Sequence, residues 1–321
     1  MADHAVDGDV FIYRGGEAPQ HVINVLIDTS VGEIEDNAFY RCRNLVTVDT
    51  HDDIRKIGKR AFCGCISLRC INLTSVVEIG EQAFCGGCGD LESVEFGDRL
   101  ETIGDGAFFQ CYSLTHLKLP SIITIGDSAF YECKCLIDIE LSERLETIEA
   151  SVFRHCERLQ RIAIPPKRDL FEFDVWQRYN QFDFCEQLVT VDLVGGIHKT
   201  VASLYMESWR TEMTAEINQI NQVLPNIDRI EKTDAIRQWM ELVLDKMDHY
   251  RAEHCRYVKE GITLLELALW KAKLGEKEDN CGEGKKTKRA KVDAEGARME
   301  RRVTCGADMV IKNVLPFLQL E

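Results

Sequence analysis

The sequence predicts an α/β protein: a solenoid of stacked coils sharing one curved parallel sheet, followed by a C-terminal α-helical hairpin. Three observations carry that expectation. A frame, I-G-x-x-A-F-x-x-C-x-x-L-x-x-I-x-L, recurs between Ile34 and Ile164. Its cysteine falls at Cys42, Cys65, Cys88, Cys111, Cys133 and Cys156, at intervals of 22 or 23 residues. Beyond Thr200 the apolar spacing changes from alternation to every third or fourth residue, the helical period.

The copies follow one another in chain order. An opening segment, VINVLI (22–27), has the strand half alone, and its Val25 lies 23 residues before Val48. Six fuller copies begin at Ile34, Ile57, Ile79, Ile103, Ile125 and Ile148, the third carrying an extra glycine. A degenerate seventh, FDFCEQLVTVDL, supplies Phe182, Cys185 and Leu188. In each, L-x-x-I-x-L reads as a short strand, because alternate apolar residues share one face. The Ala-Phe-x-x-Cys half reads as a helical or 3₁₀ turn on the opposite side, with Phe pointing in and Ala allowing close approach. One copy cannot bury its own apolar stripe, whereas a stack closes one core, so this period and pattern predict a leucine-rich-repeat solenoid.

The frame resembles the BspA-type leucine-rich repeats over about Val22 to Leu193. Further on, WRTEMTAEINQINQVLPN, LLELALWKAKLG and CGADMVIKNVLPFLQLE are similar to the C-terminal part of algal intracellular members. The resemblance implies a protein-recognising scaffold and brings no catalytic residues.

Four segments are expected: the solenoid with its N-terminal cap (1–198), a helical module (199–274), a charged linker (275–302) and an apolar tail (303–321). Trp209, Met213, Ile217, Ile220 and Leu224 mark an amphipathic helix that Pro225 stops. A heptad-like seam then runs through Ile236, Met240, Val243, Met247, Tyr250, His254, Tyr257, Gly261, Leu264 and Ala268, with Gly261 a place for a break. The hairpin is expected to fold back over the open end of the solenoid, since terminal repeats need a cap. Pairing between chains is the alternative. Met, Tyr, His, Gly and Ala on the seam suit a strong dimer poorly, so a monomer is expected over a homodimer through these helices. The linker lacks large apolar residues and is expected to be disordered. The tail is apolar enough to dock onto the helices.

Composition narrows the function classes. A formal charge of −15 disfavours nucleic acid and anionic membranes as partners, because both are negative. No run of about 18 apolar residues exists, and MADHAVDGDVFIYRGG lacks the basic and apolar regions of a secretory leader. Fourteen cysteines are then expected as thiols in the cytoplasm. The ladder cysteines, Cys185 included, occupy an inward slot as small hydrophobes. Cys63 and Cys85 follow the repeat Phe in adjacent coils and are close enough to pair under oxidation. Cys85-Gly-Gly-Cys88 has a zinc-like spacing without four convergent ligands, so no metal and no cofactor is expected.

Outward strand positions make the candidate partner-binding face: Thr47, Asp49, Asn72, Ser93, Glu95, His116, Lys118, Asp138, Glu140 and Arg161, with Asn24, Leu26, Cys70, Ala163, Thr190 and Asp192 in the same two rows. Alternating charge suits a polar, charged protein partner. One row contains Ser93, His116 and Asp138, the residue types of a hydrolase triad, but an open wet sheet offers no oxyanion hole, so no enzyme is expected. The run KKTKRAK, with Lys285, Lys286, Lys288, Arg289 and Lys291, has the composition of a nuclear-import signal or a nucleic-acid patch and makes a nuclear regulatory or nucleic-acid-associated adaptor the alternative.

Overall fold

The computed structural model describes residues 6–7, 10–86, 88–171, 180–195 and 207–279. The chain divides into two units, residues 1–197 with 211–244, and residues 198–210 with 245–321. The first unit is a solenoid. One wall carries the expected parallel strands, Asn24–Ile27, Thr47–Asp49, Cys70–Leu73 and Ser93–Phe96, then His116–Lys118, Asp138–Glu140, Arg161–Ile164 and Thr190–Leu193. Register follows the repeat: Val25 pairs with Val48, Ile71 with Val94, and Ile139 with Ile162. The wall comprises two separate sheets, divided between Ser93–Phe96 and His116–Lys118.

The opposite side differs from the expected helical turn. Each of the six full copies begins with a two-residue strand, and Glu33–Ile34, Lys56–Ile57, Glu78–Ile79, Thr102–Ile103, Thr124–Ile125 and Thr147–Ile148 form a third sheet, parallel throughout. The Ala-Phe segment that follows is a pair of turns. Their backbone N–H groups alternate between local and inter-coil acceptors. In the second full coil, Ala61, Cys63 and Cys65 donate within the coil to Gly58, Arg60 and Phe62, whereas Arg60, Phe62 and Gly64 donate to Glu81, Ala83 and Cys85 of the next. A helix would direct all these donors along its own chain. Sending every second one sideways requires left-handed backbone at two positions per coil, as at Asn37 and Arg41 (φ 58° each).

Inside, the seven repeat phenylalanines from Phe39 to Phe182 form one column of near-parallel rings, with centroids 5.0–5.7 Å apart. The frame alanines beside them are buried, so adjacent turns meet backbone to backbone. Glycine at the second frame position serves the same approach. A Cβ on Gly80 would lie 2.8 Å from Lys59 N and 3.0 Å from Ile57 O.

The ladder cysteines do more than fill space. Cys65 Sγ donates to Phe39 O of the preceding coil at 3.1 Å, and Cys88, Cys111, Cys133, Cys156 and Cys185 repeat the bond at 3.1–3.4 Å. Burial pushes the Cys65, Cys111, Cys133, Cys156 and Cys185 thiols up, Cys185 to about 12. Twelve of the cysteines, all those described, are free thiols.

Both ends of this core are closed. At the N-terminal end an additional strand, Val10–Tyr13, pairs parallel with Asn24–Ile27 and places the Tyr13 ring 4.9 Å from Phe39. At the other end, helix α1 (Glu207–Val223) leads through a 3₁₀ turn at Leu224–Asn226 into helix α2 (Lys232–Asp279). Trp239 Nε1 donates to Glu216 O, joining the two helices. Met213, Ile217, Ile220, Leu224, Ile236, Met240 and Val243 are buried, as the helical spacing predicts.

This hairpin supplies the polar partners that an eighth coil would provide. Phe182 N–H donates to Thr233 Oγ1 and Phe184 N–H to Arg229 O. Lys232, only 2% exposed, donates from Nζ to the carbonyls of Cys185, Glu186 and Leu188 at 2.8–3.0 Å. Burial lowers the affinity of its ammonium for a proton. On the last strand, the Asn221 amide accepts from Val191 N–H at 2.8 Å and donates to Val191 O at 3.1 Å.

In the second unit, α2 runs through Gly261 without a break and includes residues 275–279 of the expected linker. Tyr250 is buried and His254 half-buried, whereas Tyr257, Leu265 and Trp270 are exposed. The remaining linker (280–302) and the tail (303–321) lie outside the described residues.

Three substitutions test this packing. Gly80→Ala loses about 1–3 kcal/mol in urea unfolding, because the clash is with backbone that cannot swing away. Gly261→Ala, with open space around its Cβ position, gains up to about 1 kcal/mol as a helix-interior substitution. Asn221→Ala loses about 1–3 kcal/mol by leaving the Val191 N–H and C=O unpaired, and the freed strand edge promotes self-association visible in light scattering.

Candidate protein-binding face

Along the strands, every second residue faces the core and the intervening ones face out, because the side-chain period is two. Val48, Ile71, Val94, Leu117, Ile139, Ile162 and Val191 are buried. Between them the structure brings the outward residues into two rows. One row runs Asn24, Thr47, Cys70, Ser93 and, on the second sheet, His116, Asp138, Arg161, Thr190. The other runs Leu26 and Asp49, then Asn72 and Glu95, then Lys118, Glu140, Ala163 and Asp192.

Asp49, Asn72, Glu95, His116 and Lys118 are exposed, and Thr47, Asp138, Glu140 and Arg161 half-buried. Ala163 is the exception to the expected outward set. It is 1% exposed, a methyl group set between the longer Glu140 and Asp192 side chains of the paired strands.

Local bonds consume part of the row of polar groups. Thr47 Oγ1 donates to Asn24 Oδ1 at 2.8 Å. Asn72 Oδ1 accepts from the backbone and hydroxyl of Thr74 at 2.9 and 2.8 Å, fixing the strand's exit. Arg161 bridges two carboxylates, Asp138 at 2.9 Å and Asp192 at 3.3 Å. Asp138 holds the guanidinium above its usual range, with Asp192 adding to the effect. The sequence pattern had offered Arg161 as a cation open to a partner; instead it lies opposite Asp138 in register and reaches diagonally to Asp192.

Among the described residues, Asp49, Glu95 and Glu140 form no ion pair, and neither does Lys118. The uncommitted part of the face therefore carries more negative than positive charge. Leu26, 43% exposed, adds an apolar spot at its N-terminal end.

The Ser93, His116 and Asp138 row is not assembled as a triad. The Ser93 and His116 strands belong to different sheets, and the Asp138 carboxylate accepts from Arg161. Among the described residues no three His, Cys, Asp or Glu side chains converge as a cation site. No described helix is long and apolar enough to cross a membrane. The basic run Lys285, Lys286, Lys288, Arg289 and Lys291 lies outside the described residues.

The sequence reading did not include the residues that seal the face's C-terminal border, Asn221 and Lys232. Each is a polar residue on an amphipathic helix and has the same sequence signature as a solvated one.

No curated protein matches the chain. Among solved structures, it is similar to a leucine-rich-repeat protein of T. pallidum, at 26% identity over 58% of this chain and 87% of that one, with a TM-score of 0.46. It is also similar to a leucine-rich-repeat protein from Bacteroides ovatus, at 24% identity over 56% of this chain and 54% of that one, TM-score 0.39. A third is the pneumococcal vaccine antigen PcpA, at 17% identity over 54% of this chain and 51% of that one, TM-score 0.34. The family described as "BspA type Leucine rich repeat region" matches residues 20–121 and 77–208 in six copies. With more than half its length accounted for by these repeats, the chain belongs to the BspA-type leucine-rich-repeat family.

Proposed function

We propose that this chain is a non-enzymatic scaffold that binds a protein partner on the outward rows of its strand wall. The observation that carries the reading is the set of uncommitted carboxylates, Asp49, Glu95 and Glu140, held in fixed register on hydrogen-bonded strands beside Lys118. A face preformed by stacked coils loses little conformational freedom when a partner docks, so modest contacts suffice for binding. Its excess of negative charge favours a polar partner segment carrying more Lys and Arg than acid, with one acidic group placed for Lys118. Family membership supports the scaffold reading, because solenoids expose long rigid surfaces of independently variable positions.

Crosslinking in cells followed by mass spectrometry identifies the partner and the strands it touches. Reversing two charges with Glu95→Lys and Glu140→Lys is then expected to weaken binding of that partner roughly tenfold or more, about 1.4 kcal/mol. Glu146→Lys, exposed on the other wall, is expected to bind as the parent does. Crosslinks confined to the turns, or equal affinity for the double variant and the parent, would exclude this face.

A further inference from the structure

The paired turns carry a column of outward residues immediately after the stacked phenylalanines: Tyr40, Cys63, Cys85, Phe109, Tyr131 and Arg154. Phe109 and Tyr131 stack there with centroids 4.9 Å apart. Where the second and third full coils meet, the column holds two thiols instead. Backbone bonds tie the coils on either side of them, Phe62 N–H to Ala83 O at 2.7 Å and Gly64 N–H to Cys85 O at 2.9 Å. These place the Cys63 and Cys85 Cα atoms about one strand spacing apart, ~4.8 Å, within the span a disulfide bridges. The two sulfurs lie close enough for each to shift the other's ionisation.

Both residues are half-buried, so a small oxidant reaches them, unlike the sealed ladder cysteines. Arg60 is held beside the pair by its 2.7 Å bond to Gln82 Oε1, and Arg41 lies against the Gly64 turn. The neighbouring Cys85 thiol, with the two guanidinium groups, lowers Cys63 to about 7. The neighbouring Cys63 sulfur, and burial after it, push Cys85 well up. Cys63 is thus the readier of the two to become a thiolate and Cys85 the one that keeps its proton, the asymmetry of an attacking and a resolving cysteine.

We infer that Cys63 and Cys85 form a reversible peroxide-sensitive modification site on the turn side of the solenoid. Cys63 thiolate attacks one oxygen of a hydroperoxide. The S–O bond forms as the O–O bond breaks, and the second oxygen leaves as alcohol or water after taking a proton. Cys85 sulfur then attacks the sulfenic sulfur. An S–S bond forms, hydroxide leaves, and the proton from Cys85 converts it to water. Two electrons pass from the thiol pair to the peroxide, and a dithiol reductant reverses the change.

The test treats the full-length protein with a small molar excess of hydrogen peroxide in near-neutral buffer, then alkylates it and maps the peptides. The expected dominant product joins Cys63 to Cys85 and disappears on treatment with dithiothreitol. In Cys85→Ser, a sulfenic-acid probe such as dimedone labels Cys63 several-fold more than in the parent. In Cys63→Ser, Cys85 stays reduced. Circular dichroism confirms that each variant retains the solenoid. A parent protein whose Cys63 accumulates the dimedone adduct instead of a disulfide would overturn the inference. Earlier oxidation of the exposed Cys70 or Cys255 would do the same.

Discussion

The spacing between coils governs everything else in this molecule. Each coil sits about 5 Å from the next because three groups meet at that distance together: stacked phenylalanine rings at 5.0–5.7 Å, turn amides donating to the next coil, and strand amides on the opposite wall. Aromatic rings at that separation gain from contact without the penalty of an eclipsed sandwich. The same distance leaves no room for a Cβ at Gly80, Gly104 or Gly126, where backbone of the preceding coil comes within 3.0 Å of its position. The ladder cysteine fits here for two reasons. It is small and apolar, and its S–H reaches back to the phenylalanine carbonyl of the coil before, which already accepts from a backbone amide. A methyl group would fill the space and leave that second acceptor site empty.

What the sequence disclosed and what it hid follow from this geometry. A repeat of fixed length makes register readable, so Val25 opposite Val48 could be inferred by counting, and the inward Phe, Cys and Leu columns with it. The turn conformation could not. Left-handed backbone normally announces itself as glycine, yet here Asn37, Arg60, Gln82, Ser128 and Ser151 adopt it, stabilised by inter-coil bonds that single-chain propensities do not encode. The sheet of two-residue strands was hidden for a related reason. Two-residue strands such as Thr124–Ile125 are too short for alternation to show, and they exist only because neighbouring coils supply their partners. Tyr13 closing the phenylalanine column is equally non-local, since it belongs to no copy of the repeat.

The candidate face illustrates the same limit for charge. Its rows were legible because strand period and repeat period together determine which residues point outward. Which charges remain open was not, because that depends on diagonal reach. Arg161 spans its own strand's neighbours to meet Asp138 on one side and Asp192 on the other. Removing that cation from the open set changes an alternating face into a mainly acidic one. Exposed pairs elsewhere on the solenoid, such as Lys59–Glu81 at 2.6 Å, join adjacent coils but add little stability in water. The uncommitted carboxylates are therefore a property of the face and not of the fold.

Rigid spacing also separates the two chemistries of the solenoid. Asn72 and Glu95 lie in register on paired strands, and the same two coils carry Cys63 and Cys85 on their turns. Joining the sulfurs adds a covalent link where hydrogen bonds and the Phe62–Phe84 stack already hold the coils at 5.2 Å. The backbone spacing is set before oxidation, so the link has little distance left to close and the strand register on the far wall stays as it is. What changes is cooperativity: two coils that could part when the stack opens locally become one unit. A solenoid is stable as the sum of its coils and their interfaces, and strengthening one internal interface shifts where opening begins, away from the middle and toward the ends. Those ends are where Tyr13 and the Asn221–Lys232 hairpin already stand in for missing coils, so the molecule has its added polar bonds at the places where unravelling would otherwise start.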